Sequence, residues 1–89
     1  MITEKDKKTI QEISEKFSVK RVLLFGSSLD AKKESRDIDI AIEGIAPEVF
    51  FRYYGELLFA LSKPVDIIDL SKKSKFIDLV RHEGVLLYG

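Results

Sequence analysis

The sequence predicts an α/β protein of the α+β two-layer kind: a small mixed β-sheet with helices packed on it, in the order α-β-α-β-α-β-α. Three observations carry this. Residues 37–43 alternate acidic and apolar with the period of a strand, residues 19–25 form a β-branched apolar run that halts at a glycine, and the stretches between such runs space their apolar residues as helices do.

Each element has its own signal. Thr3, three residues before the Asp6 carboxylate, resembles a capping box, and Ile10, Ile13 and Phe17 then recur at helical spacing, so a first helix is expected over residues 4–17. Residues 19–25 read as a buried strand that runs into the turn Gly26-Ser27-Ser28. The polar stretch from Ser27 to Arg36 suits a short helix capped by a serine, then a loop. In residues 37–43, Ile38, Ile40 and Ile42 share one face of a strand, with Asp37, Asp39 and Glu43 on the other.

Gly44 ends that strand, and Pro47 suits the first turn of a helix over residues 47–62. Phe50, Tyr54, Leu57 and Leu61 supply its core stripe, which leaves Phe51, Tyr53 and Phe59 as candidates for an exposed apolar patch. Residues 65–70 read as a short strand with Asp66 and Asp69 on opposite faces. Residues 74–82 read as a last helix stopped by Gly84, and residues 85–88 as a final edge strand. The helix between the second and third strands predicts a right-handed parallel crossover. His82 and Arg81 suit the negative end of the last helix, and Lys72, Lys73 and Lys75 a solvated helix start.

Composition bounds the function. At 89 residues, with 45% apolar and 34% charged, the chain is expected to be one globular domain over residues 1–89, because typical domains run to roughly 100–150 residues. Fifteen basic residues balance fifteen acidic ones, which argues against general nucleic-acid binding. The absence of cysteine excludes disulfides and thiolate chemistry and suits a cytoplasmic location. No apolar run approaches the ~20 residues of a membrane span, and residues 1–5 hold no signal-peptide core.

Three motifs carry chemistry. Gly26-Ser27, between a strand and a helix start, lets backbone approach a phosphate, although the same pair also makes an ordinary capped turn. Asp37 and Asp39, two apart on a strand, project from one face about 7 Å apart at Cα, within reach of a shared hard cation such as Mg²⁺; an ordinary polar strand face reads the same way. Asp66, early in an apolar strand, completes a carboxylate triad if its strand lies beside theirs, whereas Asp69 points away and suits a surface or capping role.

Together, Leu24-Phe25-Gly26-Ser27, then Asp37-Ile38-Asp39-Ile40, then Val65-Asp66-Ile67-Ile68 resemble the DNA polymerase beta-like nucleotidyltransferase superfamily. The ending Glu83-Gly84-Val85-Leu86-Leu87-Tyr88 and the chain length look like its minimal nucleotidyltransferases, antitoxins paired with HEPN-domain toxins, and the resemblance spans residues 22–88. It implies the nucleotidyltransferase fold, with Gly26, Ser27 and Ser28 at the triphosphate of ATP and Asp37, Asp39 and Asp66 as both catalytic residues and ligands of a two-ion Mg²⁺ site. The implied activity is transfer of AMP to a HEPN partner. Relatives commonly carry arginines just after the Gly-Ser pair, where this chain has Ser28, Leu29, Asp30 and Ala31; Lys32, Lys33 and Arg36 are the substitutes at hand. That departure keeps a second reading open, a weak or inactive nucleotidyltransferase-like module that neutralises its partner by contact, alone or as a homo- or hetero-oligomer.

Overall fold

The structure is a computed structural model that describes residues 2–29 and 36–89. Helix α1 spans Glu4–Lys16 and begins as its sequence signal predicts: the Thr3 hydroxyl accepts the Asp6 backbone N–H at 3.1 Å. The capping box stays half built, because the Asp6 carboxylate turns inward to 3% exposure. There it accepts the Ser62 backbone N–H at 3.1 Å and makes a short bond with the Ser62 hydroxyl, which ties the start of α1 to the approach to the third strand.

Four strands follow: β1 (Arg21–Leu24), β2 (Ile38–Glu43), β3 (Val65–Asp69) and β4 (Val85–Tyr88). They form one sheet of order β3-β2-β1-β4, in which β1 runs antiparallel to β2 and β4, and β2 runs parallel to β3. The parallel pair is the crossover expected from the helix between those strands. That helix is shorter than expected: Pro47–Val49 forms a 3₁₀ turn, and α2 proper is Phe50–Ala60. Helix α3 spans Lys75–Glu83, with the Ser74 hydroxyl accepting the Ile77 N–H at 3.0 Å at its start.

The alternation in β2 assigns the two faces. Ile38, Ile40 and Ile42 are buried against α1 and α2, together with Val22, Leu24, Ile10 and Leu57. On the opposite face Leu23 and Ala41 pack with Ile77 and Val80, so α3 covers part of the sheet's second side and gives the layered fold a third, partial layer. Burying each of these large aliphatic side chains contributes about 1.5–3 kcal/mol. Arg81, in the last turn of α3, donates to the Leu70 carbonyl at 2.8 Å and anchors that helix to the end of β3. His82 lies beside it in the same last turn, as the dipole argument expects.

Phe51 and Phe59 are 84% and 95% exposed, as the sequence suggests, but Tyr53 is fully buried. The correction has a local cause. The Tyr53 hydroxyl pairs with the Ser14 hydroxyl at 2.8 Å, and its ring meets Phe17 edge-on at 5.7 Å, so its polar tip is satisfied inside the core between α1 and α2.

Ser14→Ala strands that buried hydroxyl and is expected to destabilise the fold by about 1–2 kcal/mol in urea unfolding, while the double variant with Tyr53→Phe recovers much of the loss. Burial also pushes the Tyr53 phenol up to about 12, against the lowering effect of the Ser14 bond. Between about pH 10 and 12 the unfolded chain has lost this proton and the folded chain keeps it, so stability is full below that window and falls as pH rises through it. Alkaline melts of wild type against Tyr53→Phe measure the difference.

Candidate functional site

The strand registers decide which motif residues meet. Leu24 pairs with Ile40, and the next residue, Phe25, donates its N–H to the Asp39 carbonyl at 3.0 Å. Asp39 in turn is the register partner of Asp66 across the parallel pair. Because cross-strand partners share a face, Phe25, Asp39 and Asp66 stand in one row across three strands, on the side of the sheet that α3 partly covers. Leu23, Ala41 and Ile68 form the next row, under α3. The acids thus lie just beyond the edge of that helix, with Asp39 half-buried and Asp66 exposed.

Gly26 completes the arrangement. The backbone turns there with a φ of +67°, and a Cβ on this residue would stand 2.8 Å from Asp39 Oδ2. The position therefore needs glycine twice, for its backbone conformation and for the carboxylate packed against it. Residues Gly26–Leu29 form one turn of 3₁₀ helix, where the sequence suggested a short helix. Ser28, expected at a triphosphate, is only 2% exposed, and its hydroxyl accepts the Asp39 N–H at 3.0 Å and donates to the Asp37 carbonyl at 3.3 Å. Its side chain clamps the turn to the start of β2 and so holds Asp39 in place.

Asp37 precedes β2 in a bend and is half-buried, lining a small cleft with Thr3, Asp6 and Lys63. The structure therefore brings together two of the three expected acids; among the described residues no three acidic or histidine side chains converge as a metal-binding group. Asp69, expected at the surface or as a helix-capping acid, instead accepts the Ser71 N–H at 2.8 Å and caps the turn after β3, while Ser74 caps α3. Arg36 is exposed in the bend before β2, whereas Asp30, Ala31, Lys32 and Lys33 lie outside the described residues.

Two neighbouring features escaped the sequence reading. Phe25 meets Phe76, at the start of α3, edge-on at 6.0 Å, and Phe76 is 52% exposed. A groove of about 660 Å³ also follows the open edge of β3, between Phe50 and Phe51 of the α2 start and Ile77, with Lys72 and Lys73 beside it.

A small mixed sheet that presents a Gly-Ser turn against an Asp-x-Asp strand, with a third acid on the parallel neighbour, defines a nucleotidyltransferase domain. Residues 7–89 match the family described as Polymerase beta, Nucleotidyltransferase, and the chain belongs to that family. Solved structures share the fold. A toxin–antitoxin crystallised with AMP-PNP aligns with a TM-score of 0.75 at 24% identity, covering 93% of this chain and 73% of that one. The MntA–HepT toxin–antitoxin aligns at 0.73 and 22% identity, covering 98% of this chain and 73% of the other. A complex of tri-AMPylated Shewanella oneidensis HEPN toxin with MNT antitoxin aligns at 0.71 and 24% identity, covering 94% and 70%. No curated protein matches the chain. Among the described residues no helix is long and apolar enough to cross a membrane.

The Gly26 geometry predicts a contrast between two glycines. Gly26→Ala is expected to lower stability by about 1–2 kcal/mol and to displace the Asp39 carboxylate, because φ is positive and the space is taken. Gly55→Ala, on the open face of α2 with nothing within 4 Å of the added Cβ, is expected to raise it by about 0.5–1 kcal/mol. Paired chemical-denaturation curves measure both.

Proposed function

We propose that this protein is a Mg²⁺-dependent nucleotidyltransferase that moves AMP from ATP onto a HEPN-domain partner, as the antitoxin of a cytoplasmic toxin–antitoxin pair. The observation that carries the reading is the row in which Asp39, packed on Gly26, stands abreast of Asp66 on an open part of the sheet. The neighbours support it: one holds AMP-PNP, and another pairs an MNT antitoxin with an AMPylated HEPN toxin.

The donor set suits the ion. Asp39 and Asp66 offer hard carboxylate oxygens, Asp37 stands two residues before Asp39, and the open face leaves room for water and phosphate oxygens. When bound, Mg²⁺ supplies charge neutralisation for the triphosphate and the departing pyrophosphate. The Gly26-Ser27 turn would offer its backbone N–H groups to the phosphates. Asp66, on the exposed edge strand, orients the acceptor hydroxyl. That oxygen bonds to the α-phosphorus as the bond to the β-phosphate oxygen breaks, pyrophosphate leaves, and the hydroxyl proton passes to solvent.

One observation favours the alternative, a module that neutralises its partner by contact. Ser28 stands where relatives commonly carry an arginine, and its hydroxyl is engaged with the β2 backbone. α-Phosphate-labelled ATP, Mg²⁺ and a HEPN-domain protein as the candidate partner distinguish the two. Label is expected on the partner with release of pyrophosphate, and Asp39→Asn or Asp66→Asn is expected to lower the rate at least about a hundredfold. A stable complex without label transfer overturns the transferase reading and establishes the alternative.

A further inference from the structure

Helix α3 covers part of the sheet's second face with Ile77 and Val80, both at most 7% exposed, yet Phe76 beside them is 52% exposed. Its one aromatic contact is Phe25, the residue that precedes Gly26 and stands next to Asp39 in the acid row. The row is therefore polar at the open β3 edge and aromatic at the β1 end, with the Gly26 cradle between them. Phe76 lies 6.0 Å from Phe25, and Phe25 is bonded to Gly26 in the chain, so the half-exposed ring stands near the phosphate cradle.

We propose that Phe76, backed by Phe25, is the platform on which the nucleobase of the donor stacks. The inference rests on the reading of Gly26 and Asp39 as the triphosphate site. It adds a direction to that site: the base extends over β1 towards α3, and the acceptor enters from the opposite side, at Asp66 on the edge strand. A ring platform recognises a flat π-face and not a hydrogen-bonding pattern, so purine donors bind by stacking area, with adenine and guanine close to each other and pyrimidines weaker.

The test compares a ligand that has a base with one that lacks it. Wild type, Phe76→Ala and Phe76→Trp are titrated calorimetrically with Mg-ATP and with magnesium tripolyphosphate. Phe76→Ala is expected to weaken Mg-ATP about tenfold and leave tripolyphosphate unchanged, while Phe76→Trp keeps or tightens Mg-ATP. Unaltered tripolyphosphate binding also shows that the variant is folded. Equal loss of both ligands in Phe76→Ala, or unchanged Mg-ATP binding, overturns the platform. Unchanged Mg-ATP binding with a weakened complex with the HEPN protein reassigns Phe76 to the partner interface. Wild type that binds tripolyphosphate as tightly as ATP overturns the platform alone, and wild type that binds neither overturns the triphosphate site on which it rests.

Discussion

Everything in this molecule depends on β2 pairing with β1 on one side and β3 on the other in fixed register. A strand's side chains alternate, so a slip of one residue would turn Ile38, Ile40 and Ile42 out of the core and the acids into it. The core therefore sets the register, and the register sets the site. With Ile40 and Ile42 fully buried against the helices, Asp39 has one place to go, and the parallel pairing puts Asp66 beside it across 26 residues of intervening chain. Ser28 reinforces the same constraint by holding both the Asp37 carbonyl and the Asp39 N–H, so a turn that precedes β2 helps to fix where β2 begins.

Much of this was legible in the sequence because it is local. Strand period in residues 38–43, helical spacing in α1, the Thr3 cap, the Ser74 start of α3 and the stop at Gly84 are all written within a few residues of where they act. The parallel crossover was legible too, since a helix between two strands leaves little choice of direction. Tyr53 was not. Whether a tyrosine can be buried depends on a partner for its hydroxyl, and that partner, Ser14, lies on a different helix, 39 residues away.

The candidate site divides along the same line. Gly26 and the acids announce themselves as residue types in a pattern, but what each does depends on neighbours that sequence spacing leaves open. Gly26 is required by a carboxylate that arrives from β2. Ser28 looks like a ligand-binding serine and acts as a clamp on the backbone. Asp37 and Asp39 look alike in sequence, yet the clamp seats Asp39 in the row while Asp37 stays in the bend before the strand. The Phe25–Phe76 contact joins a strand end to a helix start 51 residues later, and no spacing argument links them.

The incomplete cover that α3 gives the sheet has an electrostatic consequence. Asp66 stands in water and Asp39 is half-buried; in water a pair of charges about 4 Å apart interacts by only ~1 kcal/mol, against about 4 kcal/mol in a typical partly shielded setting. Among the described residues, nothing covers the Asp66 end of that row. Whatever settles on it supplies the dry surface itself, so the strength of every ionic contact made by Asp39 and Asp66 is set on arrival by the shape of the occupant. A loosely fitting visitor meets a weak, hydrated site, and a closely fitting one meets a strong site, from the same two carboxylates. Discrimination between them then resides in water exclusion.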